Sequence, residues 1–260
     1  MFRALSPPAR HRVFLSVLSF AGIAIALIAT SKYGAGVSSD AARNLSTADS
    51  LLMGRGFVDM VGAPFVLWPP LYPLLLAGLS IVTSLDTFRV AWYLNVALYG
   101  LNIWLAGWLL YAVFREMPIY AIVGAVIVLF SRSMLRIHAN VASEPLFQTL
   151  LLVFLLAAAE YLRTGSRRSL WGMCAMAGLA AVQRYLGVAL LGVAAAVILG
   201  RERLPGSLRG ALPWLASAAP ILAWATIHNY PISGTLFGPR ELGAMLPLQN
   251  ISLSLTKILW

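Results

Sequence analysis

Long apolar runs separated by short basic clusters fill most of the chain. The runs are Val13–Thr30, Leu71–Leu85, Phe88–Phe114, Pro118–Phe130, Pro145–Leu162, Leu170–Gly200 and Ala211–Ile227. A bilayer crossing takes about twenty apolar residues as a helix. The pattern therefore predicts an all-α polytopic membrane protein, a single transmembrane domain over residues 1–260, with no fixed-period repeat.

Two runs have the wrong length for one crossing. "WPPLYPLLLAGLSIVTSL" carries only about fifteen apolar-rich residues after prolines 69, 70 and 73. It reads as an interfacial or re-entrant helix. Leu170–Gly200 as one helix reaches about 46 Å at 1.5 Å per residue, against a core of about 30 Å. With Gln183 and Arg184 in its middle it reads as a hairpin of Leu170–Val182 and Tyr185–Gly200. About seven membrane segments result, with Pro118–Leu135 and Pro145–Leu162 as single spans and juxtamembrane helices on one face.

The basic clusters orient them. Arg10/Arg12, Arg163/Arg167/Arg168 and Arg201/Arg203/Arg209 lie in the gaps, and basic gaps stay cytoplasmic. Val13–Thr30 follows the first cluster without a clear small-x-small cleavage site, so it reads as a retained anchor with a cytoplasmic N-terminus, in the plasma (inner) membrane of a bacterial cell. Of nine acidic residues, Asp40, Asp49, Asp59, Asp86, Glu144 and Glu241 then face outward. Acids set little topology, so their gathering on one face points to an active site there.

The stretch "SSDAARNLSTADSLLMGRGF" predicts a short amphipathic helix on that outer face. Ser38 or Ser39 suits the N-cap, and Asp40 suits the positive helix end. Ala41, Leu45, Ala48 and Leu52 form an apolar stripe, with Asp40, Arg43, Asn44 and Thr47 opposite. Residues 31–87 make up the outer loop that carries it.

Composition narrows the classes. The chain is 60% hydrophobic and 11% charged, against about a quarter charged in soluble domains. A net charge of +10 confined to interhelical gaps meets anionic headgroups rather than nucleic acid. The single cysteine, Cys174, excludes a disulfide framework and a cysteine metal site.

Taken in order, the acidic helix with "GRGF", "WPPLYP", "ANVASEPLF", "QRYLG" and "NYPISGTLFGPR" resemble the C-type (GT-C) polyprenyl-phosphate-sugar-dependent glycosyltransferases. That superfamily includes the protein O-mannosyltransferases and the lipid A aminoarabinose transferases. The resemblance spans Asp40 to Arg240 and implies a GT-C-like fold of which this chain forms the N-terminal part. It implies inverting, mannosyltransferase-like transfer from a polyprenyl-phosphate sugar to a lipid, glycan or protein acceptor. Asp40 takes the position of the catalytic base and Glu144 that of a second outer acid. Arg184 lies where the donor phosphate binds, with Arg136 and Arg240 as further candidates. Such chemistry needs a base for the acceptor proton and cations for the leaving phosphate.

Other assignments stay open at this stage. Arg132 and Arg136 also suit snorkelling to headgroups. His138 with Asp40 and Glu144 offers a divalent-metal site, although a polar rim role fits a lone histidine and no metal is expected. Asp49 and Asp59 read as solvated, Tyr72 as an interfacial belt residue, and Glu160 as a surface partner of Arg163. The alternative to an enzyme is a non-catalytic scaffold subunit or a transporter. Transporters carry polar groups near mid-bilayer, whereas the charges here gather at one face.

Overall fold

A computed structural model describes residues 5–201 and 207–238 of the chain. Among them no β-strand forms, and the helices follow the apolar runs. They are α1 (Ala9–Thr30), α2 (Ser39–Leu52), α3 (Leu71–Thr83), α4 (Thr87–Val113), α5 (Ile119–Phe130), α6 (Arg132–His138), α7 (Glu144–Thr164), α8 (Arg167–Gln183), α9 (Val188–Arg201), α10 (Ser207–Ala223) and α11 (Tyr230–Ser233). A 3₁₀ turn at Tyr185–Gly187 joins α8 to α9, and a π-helical turn at Trp224–Asn229 joins α10 to α11.

Among the described residues, four helices are long and apolar enough to cross a bilayer: α1, α4, α7 and the continuous run Gly210–Ser233. The bent pair α5–α6 makes a fifth if it is one span. Pro118–Leu135 is thus not the straight span that the apolar pattern predicts. The chain turns by 60° at Ser131, whose backbone is extended and whose hydroxyl accepts from the Met134 N–H. A serine that caps the next helix interrupts the previous hydrogen-bond ladder. α3 has 13 residues, about 20 Å at 1.5 Å per residue, which is too short to cross, as its sequence implies.

α4 is the central post, packing against α1, α3, α5 and α7. Small residues let α1 come close to it. A Cβ at Gly100 would lie 2.8 Å from the Ser19 carbonyl, and one at Gly107 2.4 Å from a Leu15 methyl. Such close approach is how helices associate where lipid removes the hydrophobic driving force. α1 buries His11, Leu15, Gly22, Ala26 and Thr30 on one stripe, while Val13, Phe20 and Ile28 remain exposed as a lipid-facing side. A second core joins α7, α8, α9 and α10 around Phe154, Tyr161, Met173 and Cys174.

The bundle has two distinct ends. Trp108 donates to the Leu5 carbonyl and Arg201 donates to the Leu162 carbonyl at one of them. The other collects α2, α3, the 131–145 segment, Arg184 and the π turn. Glu160 lies toward the first end and is buried rather than a surface partner of Arg163.

Candidate functional site

The non-helical segment 139–143 and the first turn of α7 form the base of the second end, and buried amides hold their carbonyls. Asn95 Nδ2 donates to the carbonyls of Asn140 (2.7 Å) and Ala142 (2.9 Å). Gln183 Nε2 donates to Ser143 O at 2.9 Å and Asn102 Nδ2 to Pro145 O at 3.1 Å. The main chain of Gly36 bonds both Ala139 and Val141. A Cβ at Gly36 would fall 2.0 Å from the Asn140 side-chain oxygen, so a larger residue would have to push the Asn140 amide aside. Each buried polar group left unmade costs about 1–3 kcal/mol, so the segment is held by several such bonds at once. The loop leading to Asp40 and the loop leading to Glu144 are thereby stitched together.

His138 is engaged on both ring nitrogens by the fold. It is fully buried, with Nδ1 2.8 Å from the Met134 carbonyl and Nε2 3.0 Å from Asn102 Nδ2. The carbonyl requires Nδ1–H, and the amide then donates to Nε2, so both nitrogens are used. Among the described residues no group of three His, Cys, Asp or Glu side chains lies close enough to hold a metal. His138 is accordingly a bracket for α4 and α6 rather than a rim residue or ligand.

Glu144 starts α7, and Arg184 ends α8 with extended backbone. Arg184 Nη1 lies 2.6 Å from Glu144 Oε1 and donates to Ser143 Oγ at 3.0 Å. The two side chains keep 29% and 42% of their exposure. An ion pair that wet contributes about 0–1 kcal/mol, so it aims the guanidinium more than it stabilises the fold. Two of the five N–H donors are occupied, and the remaining three are free to meet an anion. The turn behind Arg184 depends on Gly187, where a Cβ would lie 2.1 Å from the Ala180 carbonyl oxygen. Gly187→Ala should lower stability by about 1–3 kcal/mol through overpacking. A thermal-unfolding midpoint in detergent micelles checks this, and an unchanged midpoint would contradict it.

Arg184 borders a cavity of about 510 Å³ lined by Leu67, Trp68, Pro69, Tyr185, Leu186, Val188 and Phe237. Three separate stretches, "LWPP", "RYLGV" and "TLF", meet there. Tyr185 knits them, donating to Val66 O and accepting from Asn229 Nδ2 at 2.7 Å. His228 Nε2 donates to Phe65 O at 3.1 Å from the π turn, a helix distortion that often marks functional sites. Beside this cavity an apolar hollow of about 390 Å³ runs between Pro70, Leu71 and Leu74 and the face of Pro220, Ala223 and Ile227.

Asp40 is exposed in the first turn of α2. It is not the cap: Ser38 Oγ accepts from the Ala41 N–H at 3.2 Å. Among the described residues the Asp40 carboxylate has no hydrogen bond or ion pair. Arg43, one turn along and on the same face, lies over the Trp68 ring at 5.6 Å, and Trp68 lines the cavity. Arg43 thus ties α2 to the cavity wall, while Asp40 and Glu144 do not line the cavity themselves.

The inward face of α2 differs from its apolar stripe. Asn44 and Thr47 are buried with Ala41 and Ala48, whereas Leu52 is exposed. Asn44 satisfies its amide on the Asp40 carbonyl at 2.8 Å, so its burial leaves that donor paired. Asp49 is half-buried, accepting from Thr87 Oγ1 at 2.8 Å, and Asp59 accepts from the Val61 and Ala63 N–H groups. Neither is merely solvated.

Arg136 is exposed on α6 and does not line the cavity. Arg240 lies outside the described residues. Tyr72 is buried beneath the site rather than in an interfacial belt. Burial pushes its phenol above the ordinary range, the Asn95 amide opposes this, and the charge of Glu144 adds to it. Asn95 and Asn102 lie in no motif, and amides inside an apolar helix were their available signal; Arg43 and Gln183 lie in the α2 stretch and in "QRYLG", which gave them no role at the site.

No family model, no curated protein and no solved structure matches the chain.

Proposed function

We propose that the chain is a membrane glycosyltransferase that uses a polyprenyl-phosphate-linked sugar. What supports this reading is the convergence of "WPP", "RYLG" and "TLF" on one cavity that holds Arg184, with "SEP" joined to it through the Glu144 ion pair. In this reading Arg184 binds the donor phosphate with its spare N–H donors, and Glu144 aims it. The adjoining apolar hollow takes the first part of the lipid tail. Asp40 removes the proton of an acceptor hydroxyl. The acceptor oxygen bonds to the anomeric carbon with inversion, the bond from that carbon to the phosphate oxygen breaks, and polyprenyl phosphate leaves with its charge held by Arg184. Arg43 adds a second cation over Trp68, and Arg240 remains a candidate.

The membrane placement belongs to the same proposal. The protein lies in the plasma membrane with its N-terminus in the cytoplasm and the cavity outward. α8 and α9 form a short hairpin, α5–α6 a broken span and α3 an interfacial helix, giving about seven membrane segments in a GT-C-like arrangement. Cysteines placed at Ser39 and Ser166 should then label from opposite sides of the membrane. Labelling from one side would overturn the orientation.

The deciding experiment measures sugar transfer in proteoliposomes, supplied with a set of polyprenyl-phosphate sugars and the membrane's own acceptors. Transfer, with donor binding lost on Arg184→Gln, is the expected result. Absence of both transfer and donor binding would overturn the proposal. Binding without transfer would favour the scaffold reading.

A further inference from the structure

We infer that the far end of the bundle carries a separate site for the phosphate of an anionic phospholipid, between the start of α1 and the first turn of α5. A cavity of about 420 Å³ opens there, lined by Arg10, His11, Phe14, Pro118, Ile119 and Ile122. Its composition is divided. Two groups that bind anions sit on one wall, and apolar side chains make up the rest.

His11 is the unusual member. It keeps only 8% of its exposure, although a histidine in the first turn of a helix that starts between prolines and arginines has an easy route to water. Its ring lies 5.6 Å from that of Tyr111, and its Nδ1 is enclosed without a hydrogen-bond partner. An enclosed nitrogen costs less as a bare lone pair than as an unmet N–H donor. With Nδ1 enclosed, Nε2 is the ring nitrogen left to donate into the cavity. Arg10, next to it, is exposed, and among the described residues no carboxylate pairs with it. No acidic side chain lines the cavity.

α5 contributes a third donor. Its first turn begins at Pro118 and no side chain caps it; the Tyr120 and Ala121 N–H groups bond the Met117 and Pro118 carbonyls, leaving the Ile119 N–H at the positive end of the helix for the same space. Arginine, an imidazole N–H and a helix N-terminus together suit a phosphate. Phe14, Ile119 and Ile122 suit the glycerol and upper acyl chain beside it, which selects a lipid over a free ion. The site is at the opposite end from the Arg184 cavity and does not depend on the proposed transfer reaction.

Native mass spectrometry of the detergent-solubilised chain, titrated with phosphatidylglycerol, with phosphatidylcholine and with inorganic phosphate, tests the assignment. Phosphatidylglycerol should bind one equivalent in preference to phosphatidylcholine. Arg10→Gln, an exposed change that leaves packing intact, and Arg10→Gln with His11→Gln should weaken it about tenfold or more, the scale of a lost charge-assisted hydrogen bond. Arg167→Gln with Arg168→Gln removes charge at the same end and should leave that equivalent in place. Equal loss in both sets of variants, or no preference for the anionic lipid, would overturn the site. Inorganic phosphate binding as tightly as the lipid would overturn the choice of a lipid ligand.

Discussion

Asp40→Asn should reduce sugar transfer by roughly 10²–10⁴-fold, the effect of losing a general base, while leaving expression and unfolding temperature unchanged. The separation of the two readouts follows from the geometry. Ser38, not Asp40, caps α2, and the Asp40 carboxylate makes no contact among the described residues that the fold needs. Asparagine preserves the shape and the helix-end preference and removes only the proton acceptor. The assay is transfer from lipid donor in proteoliposomes, paired with thermal unfolding. Near-normal transfer would reduce Asp40 to a favourable charge at a helix start. A fall in both readouts would instead show that Asp40 supports the fold.

Arg184→Lys should mainly raise the donor concentration needed for half-maximal rate, and Arg184→Gln should raise it further and also slow turnover. A lysine keeps the charge but loses the planar fork that bonds Glu144 and Ser143 on one side and, in the proposed function, a phosphate on the other. A charge-assisted hydrogen bond from the arginine to a bound phosphate is worth about 1.5–3 kcal/mol, or roughly ten- to hundredfold in binding. Glu144→Gln is the informative companion. It leaves Arg184 in place without its ionic tether, so donor binding should weaken less than in Arg184→Gln. Equal donor affinity across wild type and all three variants would separate the arginine from the phosphate altogether.

Much of the helical frame is legible because lipid leaves few alternatives: an apolar run about twenty residues long must satisfy its own backbone bonds. α1, α4 and α7 follow directly, and the shortness of α3 is visible in the prolines at 69, 70 and 73 around its start. The bend at Ser131 is not legible, because a serine inside an apolar run reads equally well as a helix residue; its extended backbone depends on α6 docking against α4. The pairing of Glu144 with Arg184 follows from both lying at helix ends of the same depth. What burial does to polar residues is less visible. Asn44 and Thr47 look like an exposed face until α3 covers them, and His138 looks like a rim residue until Asn102 reaches it. In each case a partner far along the chain decides, and a helical period carries no information about that partner.

The amide clamp on Ala139–Pro145 also bears on how the protein is made. α4 emerges from the ribosome with Asn95 and Asn102 before residues 139–145 and Gln183 exist to receive or join them. Until then it sits in or beside the translocon with two amides whose partners are unmade, each a burden in hydrocarbon. Insertion is therefore a deferred commitment: α4 becomes a stable membrane helix only when α7 arrives and turns its loop carbonyls toward it. A chain released after α5 should be held by the insertion machinery or degraded, whereas one released after α8 has every acceptor for these amides and should persist.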